Sequence, residues 1–270
     1  MTKIPHTVYS KFLTEVKKSG VHFNRVADFV EAISMGEPLG RSIIKHDAHH
    51  DLDSCVLAAK VEADLGITST FLFMGEHELA AYHGTQQFWR AVENISALGH
   101  EVGLHLDFHE LILKYGCANL GIEALCNEFL KNAGVVVKSA NLHGNTRLRL
   151  QYGSPKALIR ARNHDVKPLR HKYPVAGQVF DHFVMKYSLQ DFSDKFGIDY
   201  WLDPIIYHRG SVVPVRVFGS DNSGDIKIVK RKDRVIRISF AELDNKLDSQ
   251  ISEMLASSAS QFLIHPQNIF

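Results

Sequence analysis

Cysteine is scarce in this chain, with three in 270 residues. Cys55 falls in an amphipathic stretch, and Cys117 and Cys126 are too far apart for a C-x-x-C site, so there is no disulfide framework and a reducing compartment is expected. An excess of charge of one sign is also missing. The balance of 31 Lys and Arg against 30 Asp and Glu leaves a net charge of +1, without the strong field that nucleic acids or anionic membranes attract. The one basic run, Lys230–Lys232, reads as a solvated strand edge rather than a nucleic-acid contact. No apolar run reaches membrane-spanning length, and the opening MTKIPHTVYSKFLTEVKK has no apolar core of a signal peptide, so a cytoplasmic location without membrane insertion is expected. Repeats, low-complexity tracts and Ser/Gly linkers are absent too. One domain over residues 1–270 is therefore expected, with residues 1–40 as an N-terminal helical extension.

What the chain does have is histidine, 16 in all, on an otherwise ordinary background of 45% hydrophobic and 23% charged residues. Six of them (His46, His49, His50, His100, His105 and His109) fall within about a quarter of the chain. Periodicity places them. Thr7–Lys18 and His22–Ile33 carry apolar residues at helical spacing and predict two helices joined at Gly20. From Arg41 the pattern alternates: strand Ser42–Lys45, helix Leu52–Leu65, strand Thr68–Phe73, helix Thr85–Leu98, strand Glu101–Leu106, helix Gly121–Asn132 and strand Val135–Leu142. Such alternation predicts an α/β fold with a parallel sheet, either a barrel or a doubly wound sheet.

The second half is less regular. Asn141–Tyr173 reads as long loop with one short helix, and Gln178–Met185 and Ile198–Leu202 as strands. Ile226–Val229 and Val235–Ser239 predict a β-hairpin around Lys232–Asp233, followed by a helix over Phe240–Ala256 and a last strand over Gln261–Ile264.

Four predicted strands end in chemistry-bearing residues, and in a parallel barrel the C-terminal strand ends form the active face. RSIIKHDAHHDLD ends the first in three histidines and three carboxylates, with Lys45, Asp47 and His49 sharing strand parity. In GHEVGLHLDFHE, Val102, Leu104 and Leu106 alternate with Gly103, His105 and Asp107, and His109 follows His105 at i+4 on the same side. Two imidazoles so spaced are a common way to hold zinc. NLHGN supplies His143, and LIHPQ supplies His265. Lone histidines at strand ends, such as His143 or His265 taken singly, are more often hydrogen-bonded structural residues; His46, His50 and His100 read as structural or as neighbours that orient metal-bound imidazoles. Asp51 and Asp53 sit where a helix N-cap and first turn favour carboxylates. Taken jointly, Asp47, His49, His105 and His109 point to a metal or proton-transfer site.

In these residues the chain resembles the polysaccharide deacetylase superfamily, the NodB-type fold of carbohydrate esterase family 4. GHEVGLHLDFHE resembles that family's second motif, commonly GHEIGNHTxxHP, and keeps its His-x-x-x-His without a gap. IIKHDAHHDLDSCVLAAKVEADLGITSTFLFM resembles a divergent branch whose first motif reads R-H-D-V-D-H. LHGN and LIHP resemble that branch's later H-G-[NS] and L-I-H-P segments, so the matches run from about Ser42 to Pro266.

The resemblance implies a distorted (β/α) barrel, here with N-terminal helices and a β-hairpin insertion. It also implies a divalent metal, usually zinc, held by one Asp and two His, with a second Asp as base and a late histidine as acid. Carried over by position, His105 and His109 are the metal pair, Asp47 the base and His265 the acid. The chain departs from the pattern where the metal-binding carboxylate falls on His49. Either His49 replaces it, or Asp47 is itself the ligand, with Asp51 a third candidate. His143 and Asp203 are the candidates for substrate contact.

A metal with three protein ligands keeps an open position and lowers the pKa of a water there to about 7. The activity implied is removal of an acyl group, such as N-acetyl, from a sugar or related small amide, with a small-molecule or carbohydrate substrate and no nucleic acid. The alternatives are a catalytically inactive relative that binds a carbohydrate or a partner protein, and another metal-dependent amidohydrolase. The usual H-x-H opening of amidohydrolases is replaced here by His46-x-x-His49.

Overall fold

Helix α1 (His6–Lys18) turns Tyr9, Phe12, Leu13 and Val16 inward at helical spacing, and all four are fully buried. They pack with Val21, Phe23, Ile44, Ile67, Leu255, Phe262 and Ile264 into one cluster, where Phe12 and Phe23 both lean on the Phe262 ring at centroid distances of 6.0 and 6.2 Å. The N-terminal segment is thus part of a core. The computed structural model describes residues 6–37, 40–49, 51–75, 85–107, 111, 114–115, 118–143, 189–202, 206–209, 211–213, 217–222, 225–230, 234–239 and 249–266. The chain divides into two units, Met1–Gly103 with Val213–Phe270, and Leu104–Val212.

In the first unit the chain runs α1, β1 (His22–Asn24), α2 (Val26–Ser34), β2 (Arg41–Ala48), α3 (Leu52–Asp64), β3 (Thr70–Phe73) and α4 (Thr85–Ala97), then enters β4 (Glu101–Leu106). It returns at the far end of the sequence with β9 (Val217–Asn222), β10 (Asp225–Lys230), β11 (Arg234–Ser239), α7 (Ser249–Ala256) and β12 (Ser260–Ile264). The hydrogen-bonded strand order is β11-β10-β9-β12-β2-β3, with the start of β4 beside β3, where Glu101 N–H donates to Ser69 O at 2.9 Å. β12 is parallel to both β2 and β9, and β3 is parallel to β2. Every residue of β2 after Arg41 is buried, as expected of a central parallel strand covered on both faces.

The second unit continues from the end of β4 through α5 (Ala118–Ala133), β5 (Ser139–Leu142), α6 (Leu189–Phe196), β6 (Tyr200–Leu202), β7 (Ile206–His208) and β8 (Ser211–Val213). β4, β5 and β6 are parallel neighbours, and β7 runs antiparallel to β6. In both units consecutive parallel strands are joined through helices, which is the α/β alternation of the distorted (β/α) fold expected from the sequence.

The predicted helix over His22–Ile33 is corrected at its start. His22–Asn24 is strand β1, paired parallel with Arg41–Ile43, and the helix begins at Val26. Phe23 and Val26 fit a helical period, but the edge of β2 below Lys45 offers a ladder that local pattern cannot reveal. Gly40 makes this pairing possible: its φ is +65°, and a Cβ there would lie 2.7 Å from the Gly20 carbonyl oxygen. The hairpin of β10 and β11 forms as expected, pairing Ile226 with Ile238 and Ile228 with Ile236. The strand predicted at Val135 begins only at Ser139, and helix α6 was not predicted from sequence. Gln178–Met185 and most of Asn141–Tyr173 lie outside the described residues.

A buried polar network underlies β2. Glu62 of α3 is fully buried and accepts from Tyr9 Oη, from Ser69 Oγ at 2.6 Å and from His46 Nε2 at 2.7 Å. His46 Nδ1 lies 3.1 Å from Ile264 O, so both its nitrogens face protein oxygens. His100 donates from Nε2 to Ala59 O at 2.9 Å and accepts from Ser69 N–H at Nδ1 at 3.1 Å. Burial is the largest influence on Glu62 and raises its pKa. The charge and hydrogen bond of His46, then the charge of His100 and the Ser69 hydroxyl, outweigh burial and hold it below the ordinary value. Burial lowers the pKa of His100 against the opposing charge of Glu62.

Both shifts favour the native state at neutral pH. The unfolded chain protonates His100 near its ordinary 6.5, and Glu62 near 4.5, before the native state does. Stability should therefore be fully present above pH 6.5 and fall as pH drops through that value and then through 4.5, read by urea denaturation across pH. Glu62→Leu, which leaves His46 buried without its anion, is expected to cost about 3–5 kcal/mol at neutral pH. At the start of α3, the Asp51 carboxylate accepts from Ser54 N at 3.0 Å and Ser54 Oγ at 2.7 Å. Asp51→Ala should cost about 0.5–2 kcal/mol in the same assay, and Asp51→Asn should recover most of it.

Candidate functional site

The first unit supplies one set of side chains from the C-terminal ends of β2 and β12. Asp47 is buried at 4% exposure, and Lys45, two residues earlier on the same face, is buried at 2%. Lys45 Nζ lies 3.4 Å from Asp47 Oδ1. In the β2–β12 ladder Ile264 is opposite His46, so His265 leaves its strand where Asp47 and His49 leave theirs. The His49 and His265 rings stack, with centroids 5.7 Å apart and planes inclined by 21°. Asp51 is engaged as the N-cap of α3, the structural duty expected of it. His46 and His100 face the Glu62 network under the sheet.

The second unit supplies another set. His105, at 2% exposure, stands opposite Asn141 in the β4–β5 ladder, and its Nδ1 is in a short hydrogen bond with Asn141 Oδ1. His143, just past β5, is fixed by its own N–H to Leu106 O at 2.9 Å, and its Nδ1 lies 3.3 Å from Asp107 Oδ2. The two rings meet edge to face with centroids 5.0 Å apart. Each imidazole thus has a protein oxygen at Nδ1, which orients its ring.

Metal-binding histidines are commonly oriented in this way, by a carboxylate or amide at one ring nitrogen. Among the described residues His105 and His143 are imidazoles that the second unit brings together, while His49 belongs to the first unit. Neutral imidazole donors suit zinc and other late divalent ions, and suit magnesium or calcium poorly. His109 and Asp203 lie outside the described residues. His143, expected from sequence to contact substrate, is among the candidate donors.

Asn141, Asp107 and Lys45 were not singled out by sequence as site residues. The available signal was parity: Asn141 with His143, Asp107 with His105 and Lys45 with Asp47 each share a strand face. Which face met which neighbour is a matter of register and required the fold.

No protein-family model matches this chain, and no curated protein matches it. Among solved structures it is similar to IcaB from Ammonifex degensii, at 17% identity over 58% of this chain and 71% of that one, with a TM-score of 0.40. It is similar to the peptidoglycan deacetylase PdaC from Bacillus subtilis at 13% identity, over 57% and 84% of the two chains, with a TM-score of 0.28. A third, T48 deacetylase with substrate, shares 14% identity over 60% and 85%, with a TM-score of 0.27. Two of these three are deacetylases by name.

Proposed function

We propose that this chain is a metal-dependent hydrolase that removes an acyl group, N-acetyl in the first instance, from a sugar or related small amide. The observation that carries this reading is the anchoring of His105 and His143 through Nδ1, to Asn141 and to Asp107. The motif GHEVGLHLDFHE, with its His-x-x-x-His, supports the same reading.

His49 and His105 hold the ion in this proposal, with His143 and, following the motif, His109 as further donors. Zinc is the ion best suited to imidazoles, and when bound it supplies Lewis-acid polarisation of the acyl oxygen and acidifies water. Asp47, at the mouth of β2, takes the proton of the attacking water. His265, stacked on His49, returns a proton to the departing amine. Asp203 is retained as a substrate contact.

We place the reaction in the cytoplasm, on a small carbohydrate or amide rather than an assembled polymer. Cys55 and Cys126 are free thiols, and burial pushes both pKa values up, that of Cys126 to about 11. Among the described residues no helix is long and apolar enough to cross a membrane.

Two measurements test this reading. Metal analysis of the purified protein should find about one divalent ion per chain. That ion should be lost in His105→Ala and retained in Asp47→Ala, while acetate release from N-acetylated sugars falls about 10²–10⁴-fold in Asp47→Ala. No bound metal after zinc addition, together with no release from any N-acetyl sugar, would sink the proposal. Asn141→Ala should weaken zinc about 10–100-fold in a chelator competition while leaving the urea midpoint nearly unchanged.

A further inference from the structure

Lys45 lies in the middle of β2, between β12 and β3, opposite Leu263 on one side and Thr70 on the other. Its side chain is only 2% exposed, and its ammonium is 3.4 Å from Asp47 Oδ1. Taking an ammonium out of water costs several kcal/mol, and a buried ion pair is seldom more stable than apolar side chains of the same volume. Met or Leu would fill this position in a parallel strand at no such cost. Stability therefore does not account for Lys45, and its neighbour Asp47 does.

Asp47 shares its strand face with Lys45 and lies two residues before His49, and chemistry offers it two incompatible roles. As a metal ligand it would give up its charge to the ion. As a base it must stay outside the coordination sphere and keep a lone pair for a proton. A cation already at Oδ1 weakens the carboxylate as a donor to a second cation, and repels a divalent ion that would approach it.

Resting on the metal-dependent reading above, we propose that Lys45 is a positioning residue. It holds Asp47 off the metal, reserves the carboxylate for proton transfer and leaves the ion to imidazole donors.

The test is metal binding in the full-length protein, read by zinc affinity in chelator competition and by the visible spectrum of the Co²⁺-substituted form. Lys45→Met should bind zinc about tenfold or more tightly than wild type, since a repelling charge is removed and a carboxylate is freed. Its cobalt bands should shift and weaken as an oxygen ligand joins. Lys45→Arg should keep the wild-type affinity and spectrum, and Lys45→Met with Asp47→Asn should return the spectrum to that of wild type. Lys45→Gln is expected to behave as Lys45→Met and serves if the latter does not fold. Wild-type affinity and spectrum in both neutral variants would overturn the role of Lys45, as would a spectral change that survives Asp47→Asn. A wild-type protein that binds neither zinc nor cobalt would overturn the metal reading and this inference together, an outcome distinct from the other two.

Discussion

The hydrogen bond between His46 and the buried carboxylate of Glu62 ties the core of the first unit to its chemistry. His46 and Asp47 are consecutive residues of β2, so their side chains leave the sheet on opposite faces. On one face His46 is held by Glu62, and through its other nitrogen it holds the carbonyl of Ile264, the residue before His265. Glu62 is in turn fixed by Tyr9 from α1 and by Ser69 ahead of β3. The rotation of β2, and the offset between Asp47 and His265, are thus set from beneath the sheet by the Glu62 network. A buried network of this kind tolerates no half measures, because every member left unpaired pays its own desolvation cost.

Histidines stand in two surroundings in this chain, and their hydrogen-bond partners tell them apart. His46 and His100 have protein partners at both nitrogens, in the network around Glu62. His105 and His143 are oriented at Nδ1 by oxygens of Asn141 and Asp107, at the strand ends that carry the candidate site. Residue type and clustering alone do not make this distinction, since all four occur within about a hundred residues of one another and at strand boundaries.

What was legible in the sequence follows the range of the forces involved. Helices α1, α3 and α4 and strand β4 are encoded by local apolar period, and their predicted bounds differ from the observed ones by at most one residue. Strand β1 was misread because three residues paired to a distant edge override a helical pattern that continues through them. The candidate ligands His49 and His105 were legible from parity and motif. Asn141 and Asp107 were not, because what makes them important is the pairing of His105 with Asn141 across two strands 36 residues apart. Lys45 was noticed only as sharing parity with Asp47. Its significance depends on being buried, and burial of a lysine is what a sequence least suggests.

In the proposed reading a histidine, His49, stands where the resembled motif has a carboxylate, which has a consequence for charge. In the first unit Lys45 and Asp47 offset each other, and His49 and His265 are imidazoles. A divalent ion held by imidazoles alone keeps its full double charge, whereas a carboxylate ligand removes one unit. Such an ion is a stronger Lewis acid and draws negative oxygen more strongly, which favours attack on an acyl carbon and slows release of an anionic product. It also repels a protonated amine, which places more of the work of leaving-group departure on a correctly timed proton from His265. An ammonium beside Asp47 would make this imbalance worse if its only effect were electrostatic. Its presence next to the proposed base is best understood through what it prevents, the capture of Asp47 by the ion.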